Sequence, residues 1–311
     1  MRTFWLPATA YALSALAALV TGEAAAESGT GEGAATAASA PSAPMVAPAP
    51  SPCPREMARV GATCVDRWEA HLVVADALGG ATRWPHYQLP PAPNVRYEAR
   101  SAAGITPQGL VSRHEAERAC RNAGKRLCTL REWRRACQGS ARAKYPYGAD
   151  EVPGRCNSDK KHLPTLLFGE DRQIWDFRSP QLLREPGFLA PAGAYAECVS
   201  EDGIHDMVGN LHEWVSDTVT RSLVVELGGE PFHRHRQGYR LGNGVFAGGF
   251  FSTHSEHGPG CYYTTIAHYA GYSDYSIGFR CCRDAPGAAP APAAAPEPEP
   301  KEPGARRSRG H

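Results

Sequence analysis

The chain has almost no net charge: 33 Lys and Arg stand against 32 Asp and Glu, leaving +1 at pH 7. That balance excludes the strongly basic or acidic face that would mark a nucleic-acid or charged-surface binder. Long apolar runs are scarce as well. The run from Tyr11 to Val20 is too short to cross a bilayer as a helix of the mature protein. No cysteine follows it closely, which argues against a lipid anchor there. Familiar catalytic signatures are missing. His212-Glu213 invites a zinc-protease reading, but position 216 is Ser216 and not histidine, so that motif fails. There is no serine-nucleophile elbow, no phosphate-cradling glycine loop and no internal repeat.

What is present begins with the tails. Arg2, the run Tyr11 to Val20 and Ala24-Ala25-Ala26 have the order of a secretory signal, so residues 1–26 are expected to be a signal peptide. The expected destination is extracytoplasmic, either secreted or periplasmic. Residues 27–52 are almost wholly Gly, Ala, Ser, Thr and Pro, a composition that cannot bury enough apolar surface to order itself, and read as a linker. Residues 285–311 repeat that character, with a Pro/Glu stretch and then a basic tip, Arg306-Arg307-Ser308-Arg309. The folded domain is therefore expected over residues 53–284.

Ten cysteines in an exported chain argue for disulfides. Spacing alone leaves their connectivity open. Cys53 and Cys64 flank a hairpin-like segment with Val60-Gly61-Ala62 at its turn and are placed to close locally. Closing long loops would contribute about 3–5 kcal/mol each in the chain-entropy model. A chain with 32 glycines and 27 prolines needs that restraint. Two helices announce themselves by capping boxes. Ser112-x-x-Glu115 opens one that gathers Ala116, Ala119, Cys120 and Ala123 on one face and ends at Gly124. Thr129-x-x-Glu132 opens a second, through Trp133 and Cys137, stopped by Gly139. Residues 153–202 read as loop, broken by Pro164, Gly169, Pro180, Pro186, Gly187, Pro191 and Gly193.

The stretch from Gly203 to Asp217 is too glycine-rich for a helix interior and too polar for a plain buried strand. Asp206, Asn210, Glu213 and Asp217 offer oxygens among glycines that let carbonyls turn inward, the arrangement a hard cation such as calcium takes. The alternative is a turn whose Asp and Asn side chains cap their own backbone. Val208, Trp214 and Val215 would anchor it to a core.

The order Asp206-Met207-Val208-Gly209-Asn210, Glu213-Trp214, Ser216-Asp217, then Gly248-Gly249 and Gly278-Phe279-Arg280-Cys281, resembles the formylglycine-generating enzyme (sulfatase-modifying factor) family. Upstream, Gly124-Lys125-Arg126-Leu127-Cys128-Thr129-Leu130-Arg131-Glu132-Trp133 and Tyr145-Pro146-Tyr147-Gly148 are similar to two further blocks of that family, in the family's order. The resemblance implies an α+β, compact, C-type-lectin-like fold with little regular secondary structure and bound calcium. Its calcium set would be Asp206, Gly209, Asn210, Leu211 and Glu213. Asn157 with Ser158 matches the start of the family's other calcium site, for which Glu170, Asp171 and Asp176 are the available acidic partners. The resemblance also implies that Cys120 pairs with Cys281 and Cys137 with Cys261, which leaves Cys156–Cys198 and Cys128–Cys282.

In active members of the family, two cysteines five residues apart follow the Gly-Gly turn, bind copper(I) and oxidise a substrate cysteine with dioxygen. Two soft thiolates select that ion and leave it open to the substrate thiolate. Counting from Gly248, the first of them falls here at Thr253, and the nearby thiol, Cys261, sits where the resemblance puts a structural disulfide. A hydroxyl cannot replace a thiolate toward copper(I), so copper is left without its ligands. Histidines take the region instead: His254 and His257, with His233 and His235 ahead of the turn. Imidazole suits copper(II), zinc or iron. Exposed loop histidines are the plainer reading.

The tyrosines Tyr262, Tyr263, Tyr269, Tyr272 and Tyr275 either line a groove for an extended peptide or glycan or belong to core and turn packing. Three functional readings follow. The first is a calcium-braced binding or structural module, or an enzyme of unrecognised chemistry. The second is a formylglycine-generating oxidase acting on sulfatase cysteines through Cys261. The third is a non-haem metal oxidase built on His254 and His257.

Overall fold

In a computed structural model of the chain, the residues described are 52–75, 80–228 and 238–287. The expected signal peptide, nearly all of the linker, most of the C-terminal tail, and His233 and His235 lie outside them.

The fold is α+β, made of many short elements. A hairpin leads. Met57–Val60 (β1) and Thr63–Asp66 (β2) pair antiparallel about Gly61, whose φ of 61° suits the turn. Ala70–Ala75 (β3) then pairs with Ala81–Arg83 (β4) on one side and Tyr97–Ser101 (β5) on the other. Both capping boxes form. Ser112 caps Arg113–Asn122 (α1) and Thr129 caps Leu130–Gln138 (α2), with the two-residue strand Arg126–Leu127 (β6) between them. Helix α1 buries Ala116, Ala119 and Cys120, and α2 buries Leu130, Trp133, Ala136 and Cys137. Gly124 and Gly139 take positive φ just after the two helices, where a side chain would be strained.

The stretch read as loop holds helices. Leu163–Phe168 (α3) and Pro180–Arg184 (α4) each carry a proline in the first turn. The missing N–H costs nothing there and the fixed φ suits a helix start, so Pro164 and Pro180 open helices instead of breaking them. The stretch expected to be irregular also corrects: His212–Thr218 is a strand (β7), with its first four residues buried. Burial on both faces by Trp214, Val215 and their neighbours overrides the polar composition.

After Arg221–Glu226 (α5), three strands complete a second sheet: Gly244–Ala247 (β8), Thr264–Thr265 (β9) and Ile277–Phe279 (β10), in the order β10-β7-β8-β9. The β10–β7 pair is parallel and the others antiparallel. The last strand, Cys281–Asp284 (β11), returns to the first sheet, whose order is β1-β2-β11-β6. The third sheet is β4-β3-β5.

Five disulfides staple these parts: Cys53–Cys64, Cys120–Cys281, Cys128–Cys282, Cys137–Cys261 and Cys156–Cys198. Two of them tie α1 and the residue just before the α2 cap to adjacent residues of β11, while Cys137 of α2 itself is tied to Cys261. No cysteine is free. Crosslinks of this density belong to an oxidising, extracytoplasmic setting. Among the described residues, no helix is long and apolar enough to cross a membrane.

Candidate functional site

The stretch from Gly203 to Asp217 folds around one buried charge pair. Glu213, on β7, meets Arg280, the residue linking β10 to β11. Nε of Arg280 donates to Oε2 at 2.6 Å and an Nη to Oε1 at 2.6 Å. The rest of the guanidinium reaches the Asp66 and His205 carbonyls at 2.9 Å each. Trp133 of α2 donates its indole N–H to the same carboxylate at 2.7 Å. Two more carboxylates lie buried nearby. Glu69 accepts from the Asn210 side chain at 2.5 Å and from Leu211 N at 3.1 Å, and Asp206 accepts from Gly193 N at 2.6 Å.

Three buried carboxylates thus surround one guanidinium, and two of them, Glu69 and Asp206, hold their protons more tightly than usual. Burial, then the fields of Asp206 and Glu213, hold Glu69 well above the usual carboxylate range. Burial raises Asp206 to about 6, although Gly193 and Arg280 act the other way. A separate buried pair, Lys125–Asp66 at 2.6 Å, braces the sheet edge beside it.

The predicted calcium residues sit in and beside this cluster, on a tightly bent backbone. Asp206, Gly209 and Asn210 all have positive φ. A Cβ on Gly209 would collide with the Asn157 backbone, which makes glycine mandatory there. In kind, the donors fit a hard cation: oxygens only, with surplus negative charge and almost no solvent. Among the described residues, however, no three His, Cys, Asp or Glu side chains converge as a metal cluster. Glu213 faces Arg280 with both oxygens, and the Asn210 side chain is spent between Asn157, Glu69 and Ala190. Any cation here would draw on Asp206 and on main-chain carbonyls. Asp217 stands apart and caps α2, accepting from Leu130 N at 2.6 Å.

At the second predicted site, Asn157 is buried and its Oδ1 has no donor, the kind of orphaned oxygen a cation or water would satisfy. Ser158 is beside it in sequence. The acidic partners do not gather there: Glu170, Asp171 and Asp176 are exposed, with Asp171 and Asp176 accepting from Gln173 N and Arg178 N of their own turns.

The segment after the Gly-Gly turn lines a small cavity of about 20 Å³, room for about one water, walled by Tyr145, Tyr147, Asp159, Thr253, His254 and Tyr263. Thr253 Oγ1 accepts from Phe250 N at 2.8 Å, closing its own turn. Five residues on stands Gly258 at φ 108°, a conformation that side chains rarely adopt, with the Tyr262 carbonyl 3.0 Å from any added Cβ. Cys261 is fully buried and bonded to Cys137. His254 is largely exposed and pairs through Nδ1 with Asp159 Oδ1 at 2.7 Å. His257 packs edge-on to Tyr263, with ring centroids 5.4 Å apart.

The five tyrosines divide. Tyr263 and Tyr275 are buried, and Tyr275 packs among Phe177, Phe250 and Phe251. Tyr262 and Tyr269 are exposed. Tyr272 stacks on His268 at 4.0 Å and donates to Asp274 at 2.6 Å. Of the five, Tyr263 lines the cavity, beside Tyr145 and Tyr147, which stack at 5.6 Å. The Tyr-Pro-Tyr-Gly block carries the sequence signal for that pair. Glu69 had no sequence signal at all.

The Sulfatase-modifying factor enzyme 1-like domain matches residues 79–285. The chain belongs to that family. It is 30% identical over 233 residues to the formylglycine-generating enzyme of Streptomyces coelicolor, covering 69% of this chain and 67% of that protein. It is 31% identical over 181 residues to the mouse enzyme of the same name, covering 56% of this chain and 43% of that one. Among solved structures, the P3c variant of the Major Tropism Determinant aligns at TM-score 0.37 and 15% identity over 75% of this chain and 54% of that one. CarF aligns at TM-score 0.38 and 15% identity over 71% and 86%.

Proposed function

We propose that this chain is an exported sulfatase-modifying-factor domain that works as a binding module, not as the family's copper oxidase. Its place would be secreted or periplasmic. One observation carries the reading: every cysteine is crosslinked, and a threonine and a glycine at positive φ occupy the two positions where the family resemblance puts copper thiolates. Cys261 cannot serve as the surviving thiol while Cys137 holds it.

The surface around Thr253, where Tyr145 and Tyr147 wall the water-sized cavity, is the proposed recognition point for an extended peptide or glycan. Tyr262, Tyr269 and Tyr272 would extend the contact over the surface. A bound calcium would brace the floor, held by Asp206 and the carbonyls of Gly209 and Leu211, with Asn210 fixing the loop through its side chain and Glu213 kept on Arg280. Its contribution would be charge compensation and rigidity.

The test is oxygen uptake with a cysteine-bearing sulfatase-motif peptide and copper(I), run beside peptide binding by calorimetry. Binding without oxygen uptake, weakened by Tyr147→Ala, is expected. Turnover of the peptide cysteine to formylglycine would overturn the proposal.

A further inference from the structure

Away from this site, β4 and the segment after it form one wall of a cleft of about 500 Å³, with Gly104 and Thr106 opposite. Volumes of this size hold small ligands. The wall carries Arg83, Trp84, Pro85, His86 and Tyr87 in succession, and no carboxylate lines the cleft. The guanidinium of Arg184, from the end of α4, lies over the Tyr87 ring at 5.0 Å. Among the described residues neither arginine has a carboxylate partner, and both press on His86 to keep it neutral, after the larger effect of burial.

The wall is also held stiff. Trp84 donates its indole N–H to Leu89 O at 3.0 Å, fixing the ring. Gln108, fully buried, donates its amide to the carbonyls of His86 (3.1 Å), Gln88 (2.7 Å) and Gly109 (2.8 Å). Gly109 N returns a bond to His86 O, and His86 Nε2 meets Leu183 O at 3.2 Å. The opposite wall is tied back by Gly104 N to Ala192 O. A loop stapled in this way presents its aromatic faces without having to order them on binding.

We propose that this cleft binds a ring-bearing carboxylate, the ring laid against Trp84 and Tyr87 and the carboxylate paired with Arg83 and Arg184. Guanidinium forks recognise carboxylates with two parallel bonds, and aromatic faces accept a flat or cyclic apolar surface. A uronic-acid sugar and an aromatic acid share this chemistry.

Calorimetric titration of the full chain with glucuronic acid, benzoate and neutral glucose tests it. Saturable binding of one of the two carboxylates, absent for glucose and reduced about tenfold or more in Arg83→Ala and in Arg184→Ala, is expected. Whichever acid binds identifies the source of the ring. Trp84→Ala should also weaken binding, with the far-ultraviolet spectrum showing that the variant is folded. No saturable binding of either acid, equal binding of glucose, or binding indifferent to both arginines would overturn the proposal.

Discussion

Arg280 and Glu213 form a fully buried ion pair, with side-chain exposures of 0% and 1%, that joins the parallel strands β10 and β7 to the indole of Trp133. The pair sits at the crossing of two sheets and one helix. Breaking it from one side strands a charge in the core, which costs about 3–5 kcal/mol. Glu213→Ala and Arg280→Ala should each lower unfolding free energy by about that amount in urea titration. The swap Glu213→Gln with Arg280→Met should cost clearly less than either single truncation.

That role of Glu213 changes how calcium is tested. Its loss destabilises the core with or without an ion, so Asp206 is the cleaner probe. Adding a chelator should lower the melting temperature of the wild type. Asp206→Ala should make the melting temperature indifferent to both calcium and chelator. A wild type unmoved by chelator would leave the loop as a capped turn with no bound ion.

Acid should weaken the fold through His71. Burial, helped by Arg83, Arg100 and Lys125, lowers its pKa to about 4 from 6.5. The unfolded chain therefore binds the extra proton first. Stability from this residue is full above pH 6.5 and is lost as pH falls toward 4, by about 3 kcal/mol at most. His71→Gln should flatten the stability profile across that window.

Much of this fold could be read in advance where local chemistry dictates structure. Ser112 with Glu115 and Thr129 with Glu132 satisfy helix N-termini within four residues, and Gly61 turns a hairpin between adjacent strands. Where long-range burial decides, local patterns mislead. His212–Thr218 carries His, Glu, Ser and Asp yet forms a strand, because Arg280, 67 residues away, neutralises Glu213 inside the sheet. Pro164 and Pro180 looked like breakers because the sequence does not say on which side of a proline a helix lies. The aromatic wall of the cavity was hidden for the same reason: tyrosines close in sequence divide between core and surface, while Tyr145 and Tyr263 meet only in three dimensions.

The disulfides at the C-terminal strand should matter more than the local one. Cys120–Cys281 closes a separation of 161 residues and Cys53–Cys64 one of 11. In the chain-entropy model the longer loop restrains the unfolded state more. The double variant Cys120→Ala with Cys281→Ala should lose more stability in denaturant titration than Cys53→Ala with Cys64→Ala.

The central claim is that the cysteines of this protein serve only as crosslinks. Thiol titration of the unreduced protein in denaturant, with copper(I) binding measured on the same native sample, tests it most directly. The expected result is no titratable thiol and no tight copper. A reduced Cys261 that binds copper(I) one-to-one would contradict it.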